Sequence, residues 1–354
     1  MENTKKRAFS FVLVFTVFSL FFFVMIVCPA QQCSNKTVFQ VGKPRDKQTS
    51  ELQKLQPMLK GIRRLTSRAF DVNGNDVMVV LHIQKTGGTF FGRNLVQNLD
   101  LERPCEHDRD NIYECKRTGS NQIWLYSRYS TGWICGPHAG WTELTSCIPH
   151  VLKSKSSSTP ARSRRIFYVT WVREPVHRFL SEFGHVRRGA TWKTVRHVCN
   201  GKKYVIPKCY KGANWANVTL QEFLDCPHNL AFNRQTRMLA NMSSIGCYSK
   251  GGFPDDGERE KAMLHSAKKN LRALSFFGLV EYQKESQFLF EKTFGLKFRE
   301  PFTQKNHTWS KNARIRLSTA ENRKIEGVNK LDARLYEYAR KIFFERLEHF
   351  RKLV

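Results

Sequence analysis

Val77 to Ile83 reads VMVVLHI, an almost continuous apolar run. Gln84, Lys85, Thr86, Gly87, Gly88 and Thr89 follow at once, and Phe90–Leu99 then has helix-compatible spacing. A short strand that is apolar on both faces must be covered on both, which is the situation of a strand inside a parallel sheet flanked by helices. The glycines after it allow backbone N–H groups to approach a ligand closely. A helix N-terminus adds partial positive charge, so the turn suits an anion, with Lys85 to neutralise it and Thr86 and Thr89 to donate hydrogen bonds. The order is not that of a Walker A loop, in which Lys follows the glycines. A plain Gly-Gly turn with an exposed lysine is the bland alternative, and the flanking strand and helix weigh against it.

Two further strands are expected at Arg165–Val172 and Ser275–Val280, with helices after each, from Pro175 to about Arg188 and over Glu285–Phe294. Alternating strands and helices predict an α/β fold with a parallel sheet. Arg173 leaves the second strand just before a Pro-started helix that carries Ser181. An arginine at a strand's C-terminal edge can grip phosphate, and ligands of open α/β sheets bind at that edge. Two such loops suggest a nucleotide with phosphate at separated positions. Lys153–Arg165 reads as a polar loop. Ser318–Leu353 reads as helix, with Ile325, Val328, Leu331, Leu335, Tyr338 and Ile342 as its buried face rather than a coiled-coil seam. The chain has 354 residues, 41% of them hydrophobic and 27 of them Phe, enough apolar surface to exclude general disorder.

The N-terminus sets the compartment. Lys5, Lys6 and Arg7 precede 21 uncharged residues, Ala8–Cys28, long enough to span a bilayer. The expected layout is a cytoplasmic tail at 1–7, a signal anchor at 8–28, a luminal stem at 29–70 and a catalytic domain at 71–354. A cleaved signal peptide is the alternative reading of the apolar run. Leu52, Leu55, Leu59, Ile62 and Leu65 give the stem one helical stripe. Eight cysteines fall as sequential neighbours, so local disulfides 105–115, 135–147, 199–209 and 226–247 are the simple expectation, in keeping with an oxidising lumen. With no C-x-x-C pair, zinc is not expected. Sequons stand at Asn35, Asn217, Asn241 and Asn306. The net charge of +29 calls for a polyanionic partner. In the secretory pathway that is an acidic glycan rather than a nucleic acid.

The two cofactor motifs, Lys85-Thr86-Gly87-Gly88-Thr89 and Arg173 with Ser181, resemble those of sulfotransferases that use 3′-phosphoadenylyl sulfate. Together with WLYSRYSTGWICGPHAGWTEL, EFGHVRRGATWKT and TLQEFLDCPHNLAFNRQTRMLA, they make the chain similar to the heparan sulfate 6-O-sulfotransferases from about residue 76 onward. The resemblance implies a sulfotransferase-type, P-loop-like α/β fold with a long C-terminal helix, in a single-pass type II protein of the Golgi membrane whose catalytic domain is luminal. It implies transfer of a sulfuryl group to the 6-hydroxyl of glucosamine in heparan sulfate, without a metal. His82, Ile83, Gln84 and the Lys85–Thr89 turn would contact the 5′-phosphosulfate, with Lys85 stabilising charge on the bridging oxygen. Arg173 and Ser181 would hold the 3′-phosphate, and Gln304 and Thr308 would close over the cofactor. His138 matches the catalytic base, and an unperturbed imidazole near 6.5 suits that role. Trp133, His185 and Trp192 would bind the acceptor. Lys116 and Arg128, with Arg187, Arg188 and Lys193, would pair with its sulfates and carboxylates. Competing readings are sulfation at the uronyl 2-hydroxyl, a non-catalytic heparan-binding module and, more remotely, a nucleotide kinase. The sequence favours no particular oligomeric state.

Overall fold

The computed structural model describes residues 69–353, apart from 109, 155–163, 192–194, 196, 250–254 and 304–315. All of these belong to one unit, Pro57–Val354. In chain order the elements are β1 (Val77–Leu81), α1 (Gly88–Gln97), β2 (Glu106–His107), β3 (Tyr113–Glu114), β4 (Leu125–Tyr126), α2 (Trp141–Ser154), β5 (Ile166–Val172), α3 (Pro175–Arg187), β6 (His197–Cys199), β7 (Lys202–Tyr204), α4 (Leu220–Asp225), α5 (Arg234–Leu239), a 3₁₀ turn (Met242–Ile245), α6 (Asp256–Ala273), β8 (Phe276–Leu279), α7 (Gln283–Phe294), α8 (Thr319–Val328) and α9 (Lys330–Arg351).

Four strands form a parallel sheet in the order β4-β1-β5-β8. Register runs Val77↔Ile166 to Leu81↔Thr170 between β1 and β5, and Val169↔Phe276 to Val172↔Leu279 between β5 and β8. The apolar runs land where the sequence places them. β8 is buried throughout, and β1 is buried except at Val80. Aromatic rings fill the space between the sheet and the helices. Phe91 of α1 packs 5.4 Å from Trp171, 6.1 Å from Phe276 and 5.7 Å from Phe290. Gly278 on β8 is what lets Trp171 lie flat there, since a Cβ would come within 2.7 Å of the indole. Phe70, assigned to the stem on sequence, is buried against Trp124, Phe167 and Phe294, so the globular part reaches back past Asp76.

Helix ends follow local chemistry. Pro175 opens α3, and the Glu174 carboxylate accepts from the N–H groups of Val176 and His177. Thr219 with Glu222 and Ser318 with Glu321 make capping boxes on α4 and α8. The C-terminal helix is two helices rather than one. Asn329 breaks it, its side chain donating to Ile325 O at 2.9 Å and accepting from Asn233 N at 3.3 Å. Ile325, Leu331, Leu335 and Ile342 are buried against the domain itself, as expected.

Two disulfides match the sequence expectation, Cys105–Cys115 and Cys135–Cys147. The other two are exchanged: Cys199 pairs with Cys247 and Cys209 with Cys226. The β6–β7 hairpin is the reason. It reverses the chain after Cys199, and Cys209 then meets Cys226 at the C-cap of α4, while the end of β6 lies beside Cys247, the second residue after the 3₁₀ turn. The anchor at 8–28 and nearly all of the stem lie outside the described residues. Within them, no helix is long and apolar enough to cross a membrane.

A non-reducing digest should yield peptides joining Cys199 to Cys247 and Cys209 to Cys226, and a 199–209 link would refute the arrangement. Cys199→Ala with Cys247→Ala opens a loop spanning 48 residues and should cost about 2–5 kcal/mol, read as a lowered denaturant midpoint.

Candidate active site

The chain leaves β1 toward β4 on one side and leaves β5 toward β8 on the other. The C-terminal ends of β1 and β5 therefore flank the topological switch point, where open α/β sheets keep their ligand crevice. The Lys85 turn follows β1, and Arg173 follows β5. Arg173 Nη1 donates to the carbonyl of Lys85 at 3.2 Å, so the two loops meet.

The turn is built for an anion. Lys85 and Gly87 both adopt positive φ, 66° and 76°. Gly87 caps α1 with no side-chain hydrogen bond, which leaves the first-turn amides directed at the crevice. Thr89 is exposed there. Thr86 differs from expectation: its hydroxyl is buried and donates to Ile83 O at 2.9 Å, bracing the turn from inside. Ile83 and Gln84 are likewise buried, and they shape the loop from below. Gly88 has its own constraint, since a Cβ would meet the His82 ring at 3.0 Å.

Around the turn, cations outnumber anions. Burial lowers the Lys85 pKa, Arg188, Arg173 and Arg178 lower it further, and only Glu182 opposes them. Burial also lowers Arg173. This donor set suits a multiply charged phosphate ester. Ser181 lies half-buried two turns along α3, on the helix that Arg173 precedes.

His138 stands beside the turn, at φ 53°, with Nδ1 3.5 Å from the carbonyl of His82. Its ring is 4.6 Å from Trp133 and 5.2 Å from His82, and the His82 and Trp133 rings are 5.5 Å apart. Arg128 reaches over Trp133 at 5.5 Å. The Cys135–Cys147 bridge ties this loop to α2. The imidazole is not unperturbed. Burial, then Arg234, lower the His138 pKa to about 4, so the ring is a neutral acceptor well below neutral pH. His82 falls to about 3, chiefly through burial. His185, half-buried on α3, falls to about 4 through burial and the charge of Lys85. Lys116 is engaged elsewhere, in an ion pair with Glu114. Trp192, Lys193, Gln304 and Thr308 lie outside the described residues.

The sequence profile of the Sulfotransferase family matches residues 68–339. This chain is a member of that family. The sulfotransferase is 50% identical over 291 residues to heparan-sulfate 6-O-sulfotransferase 1 of Homo sapiens, covering 81% of this chain and 70% of that protein. It is 49% identical over 287 residues to heparan-sulfate 6-O-sulfotransferase 2 of Gallus gallus, covering 80% and 70%. It is 48% identical over 289 residues to heparan-sulfate 6-O-sulfotransferase 3 of Homo sapiens, covering 80% and 61%.

Sequence reasoning missed the charged floor of this sulfotransferase's site. Glu182, 1% exposed, lies between Arg178 and Arg234, accepting from Arg234 Nε at 2.8 Å. Burial alone would raise its pKa, but the two guanidiniums outweigh that and hold it at about 2. Arg178 and Glu182 stand one helical turn apart, a spacing visible in the sequence. Arg234 comes from α5, which no local pattern connects to α3.

The depressed histidines carry a stability consequence. In the unfolded chain His82 and His138 titrate near 6.5, whereas folded they stay neutral to about 3 and 4. The unfolded state binds more protons between those values, so stability should be complete above about pH 6.5 and fall as pH drops toward 4. Urea midpoints at successive pH values check this, and His138→Asn should lose less over the same range. A flat profile would contradict the burial of both rings.

Proposed function

We propose that this sulfotransferase moves a sulfuryl group from 3′-phosphoadenylyl sulfate to the 6-hydroxyl of glucosamine units in heparan sulfate. The observation that carries the reading is the joint between Arg173 and Lys85 at the switch point, with His138 beside it. The names of the relatives supply the substrate.

When bound, the donor supplies a sulfuryl group carried on a phosphate leaving group. The residues present fit such a group. The amides from Lys85 to Thr89 would hold its 5′ end, with His82, Ile83 and Gln84 shaping the turn. Arg173 and Ser181 would hold the 3′-phosphate, and Gln304 and Thr308 would add contacts. His138, neutral because it is buried among cations, accepts the proton of the acceptor hydroxyl. The Lys85 ammonium and the α1 amides would stabilise negative charge developing on the leaving phosphate of a bound donor. Trp133, held by His82 and His138, offers a flat face to sugar C–H groups. Arg128, His185 and Trp192 would complete the acceptor track for a sulfated, carboxylated chain. In this reading the protein is a single-pass type II protein of the Golgi membrane, anchored by 8–28, with the catalytic domain luminal. Supporting it are the basic flank before the apolar run, four disulfides among the described residues, and the exposed sequon residue Asn217.

With radiolabelled donor and N-sulfated heparosan, label should appear on glucosamine C6, and label on the uronyl 2-hydroxyl would reject the regiochemistry. His138→Ala should keep donor binding while kcat drops by about 10²–10⁴-fold. Lys85→Ala should lose both donor affinity and turnover. The acid limb of kcat/KM should lie below 6.5, nearer the lowered His138 value of about 4. Near-normal turnover in folded His138→Ala would remove the base.

A further inference from the structure

We propose that Gln235 is a positioning residue that fixes Arg173 for the 3′-phosphate, and that the first turn of α5 is a bracket spacing Arg173 from Ser181. The proposal rests on the reading of Arg173 and Ser181 as 3′-phosphate contacts. Arg173 is the first residue after β5, and the strand's hydrogen-bond ladder no longer holds it. Gln235 replaces the ladder. Its Oε1 accepts from Arg173 N at 2.8 Å, and its Nε2 donates to Arg173 O at 2.9 Å. One side-chain amide thus satisfies both backbone groups of one residue, as a neighbouring strand would. Gln235 is 1% exposed, and its own backbone N–H donates to Asp332 Oδ2 at 3.1 Å.

The residues on either side extend the same grip. Arg234 pairs with Glu182, the residue next to Ser181. Thr236 donates to Asp332 Oδ1 through its amide and its hydroxyl, both at 2.7 Å. Arg234, Gln235 and Thr236 therefore hold α3, the end of β5 and α9 respectively. A phosphate shared by a guanidinium from the strand end and a hydroxyl from the helix depends on the spacing between them. Gln235 and Arg234 set the two ends of that spacing without needing to touch the ligand.

Calorimetric titration of the whole luminal fragment with adenosine 3′,5′-bisphosphate and with adenosine 5′-monophosphate tests this, because the ratio of the two affinities isolates the 3′-phosphate. Gln235→Leu should lower the preference for the bisphosphate by about tenfold, with monophosphate affinity and heparin retention little changed. Thr236→Val, which removes the hydroxyl bond to Asp332, keeps the amide bond and spares the bonds of Gln235 to Arg173, should lower thermal stability and leave the preference intact. Should Gln235→Leu not fold, Gln235→Met, which keeps the side-chain length and loses both bonds to Arg173, should show the same loss. Full preference in a folded Gln235 variant overturns the proposal, as does an equal loss in Thr236→Val. Absence of any preference in the wild type would instead overturn the underlying assignment of Arg173 and Ser181.

Discussion

Two helix N-termini cap one another in this fold. The Asp332 carboxylate of α9 accepts from the amides of Gln235 and Thr236 at the start of α5. In return, the Asn233 side chain just before α5 accepts from the amides of Leu331 and Asp332 at 2.9 and 3.3 Å. Helix starts leave amides without partners, and a buried start is tolerable only when something supplies acceptors. Here each helix supplies the other. Asp332 is fully buried, so the joint fixes the C-terminal helix to the short helix that reaches the end of β5 and, through Arg234, α3. The crevice at the switch point takes its dimensions from that joint.

Charge in the site is arranged by exclusion of water as much as by pairing. Glu182 remains ionised because two guanidiniums face it, and deleting Glu182 would leave both of them without their shared carboxylate, a loss of about 3–5 kcal/mol in comparable cases. The remaining cations, Lys85 and Arg173 among them, repel one another. That repulsion is a reason for the crevice to favour a polyvalent anion. Burial first, and then neighbouring cations, Arg234 for His138 and Lys85 for His185, keep these two rings neutral.

The readable parts of the fold were those whose signal is local. β1, β5 and β8 announce themselves as apolar runs because both faces of a central parallel strand are covered. The Lys85 turn is legible because glycine, lysine and the strand–helix change sit side by side. β4 is two residues long and has no periodicity to detect, and α2 contains Pro149, which argues against a helix on sequence. The break at Asn329 depends on an asparagine whose partner is Asn233, 96 residues away. Gln235 and Arg234 belong to the same class: their roles arise from contacts between distant segments, and nothing in their own neighbourhoods marks them. His138 was identifiable as a residue but not in its electrostatics, since the burial and the Arg234 charge that lower its pKa exist only in the assembled fold.

The exchanged cysteines bear on how the chain matures. The Cys209–Cys226 link lies inside the span closed by Cys199–Cys247. In a chain synthesised from its N-terminus, Cys209 becomes available to Cys199 before either native partner has emerged. The first partner available to Cys199 is therefore a non-native one, and a bond formed to it would have to be undone by thiolate attack before the native set is reached. Wherever a Cys199–Cys209 bond forms first, thiol exchange is the route from it to the native pairing. A chain locked with Cys199 joined to Cys209 would lack the Cys209–Cys226 tether between the segment after the β6–β7 hairpin and the end of α4.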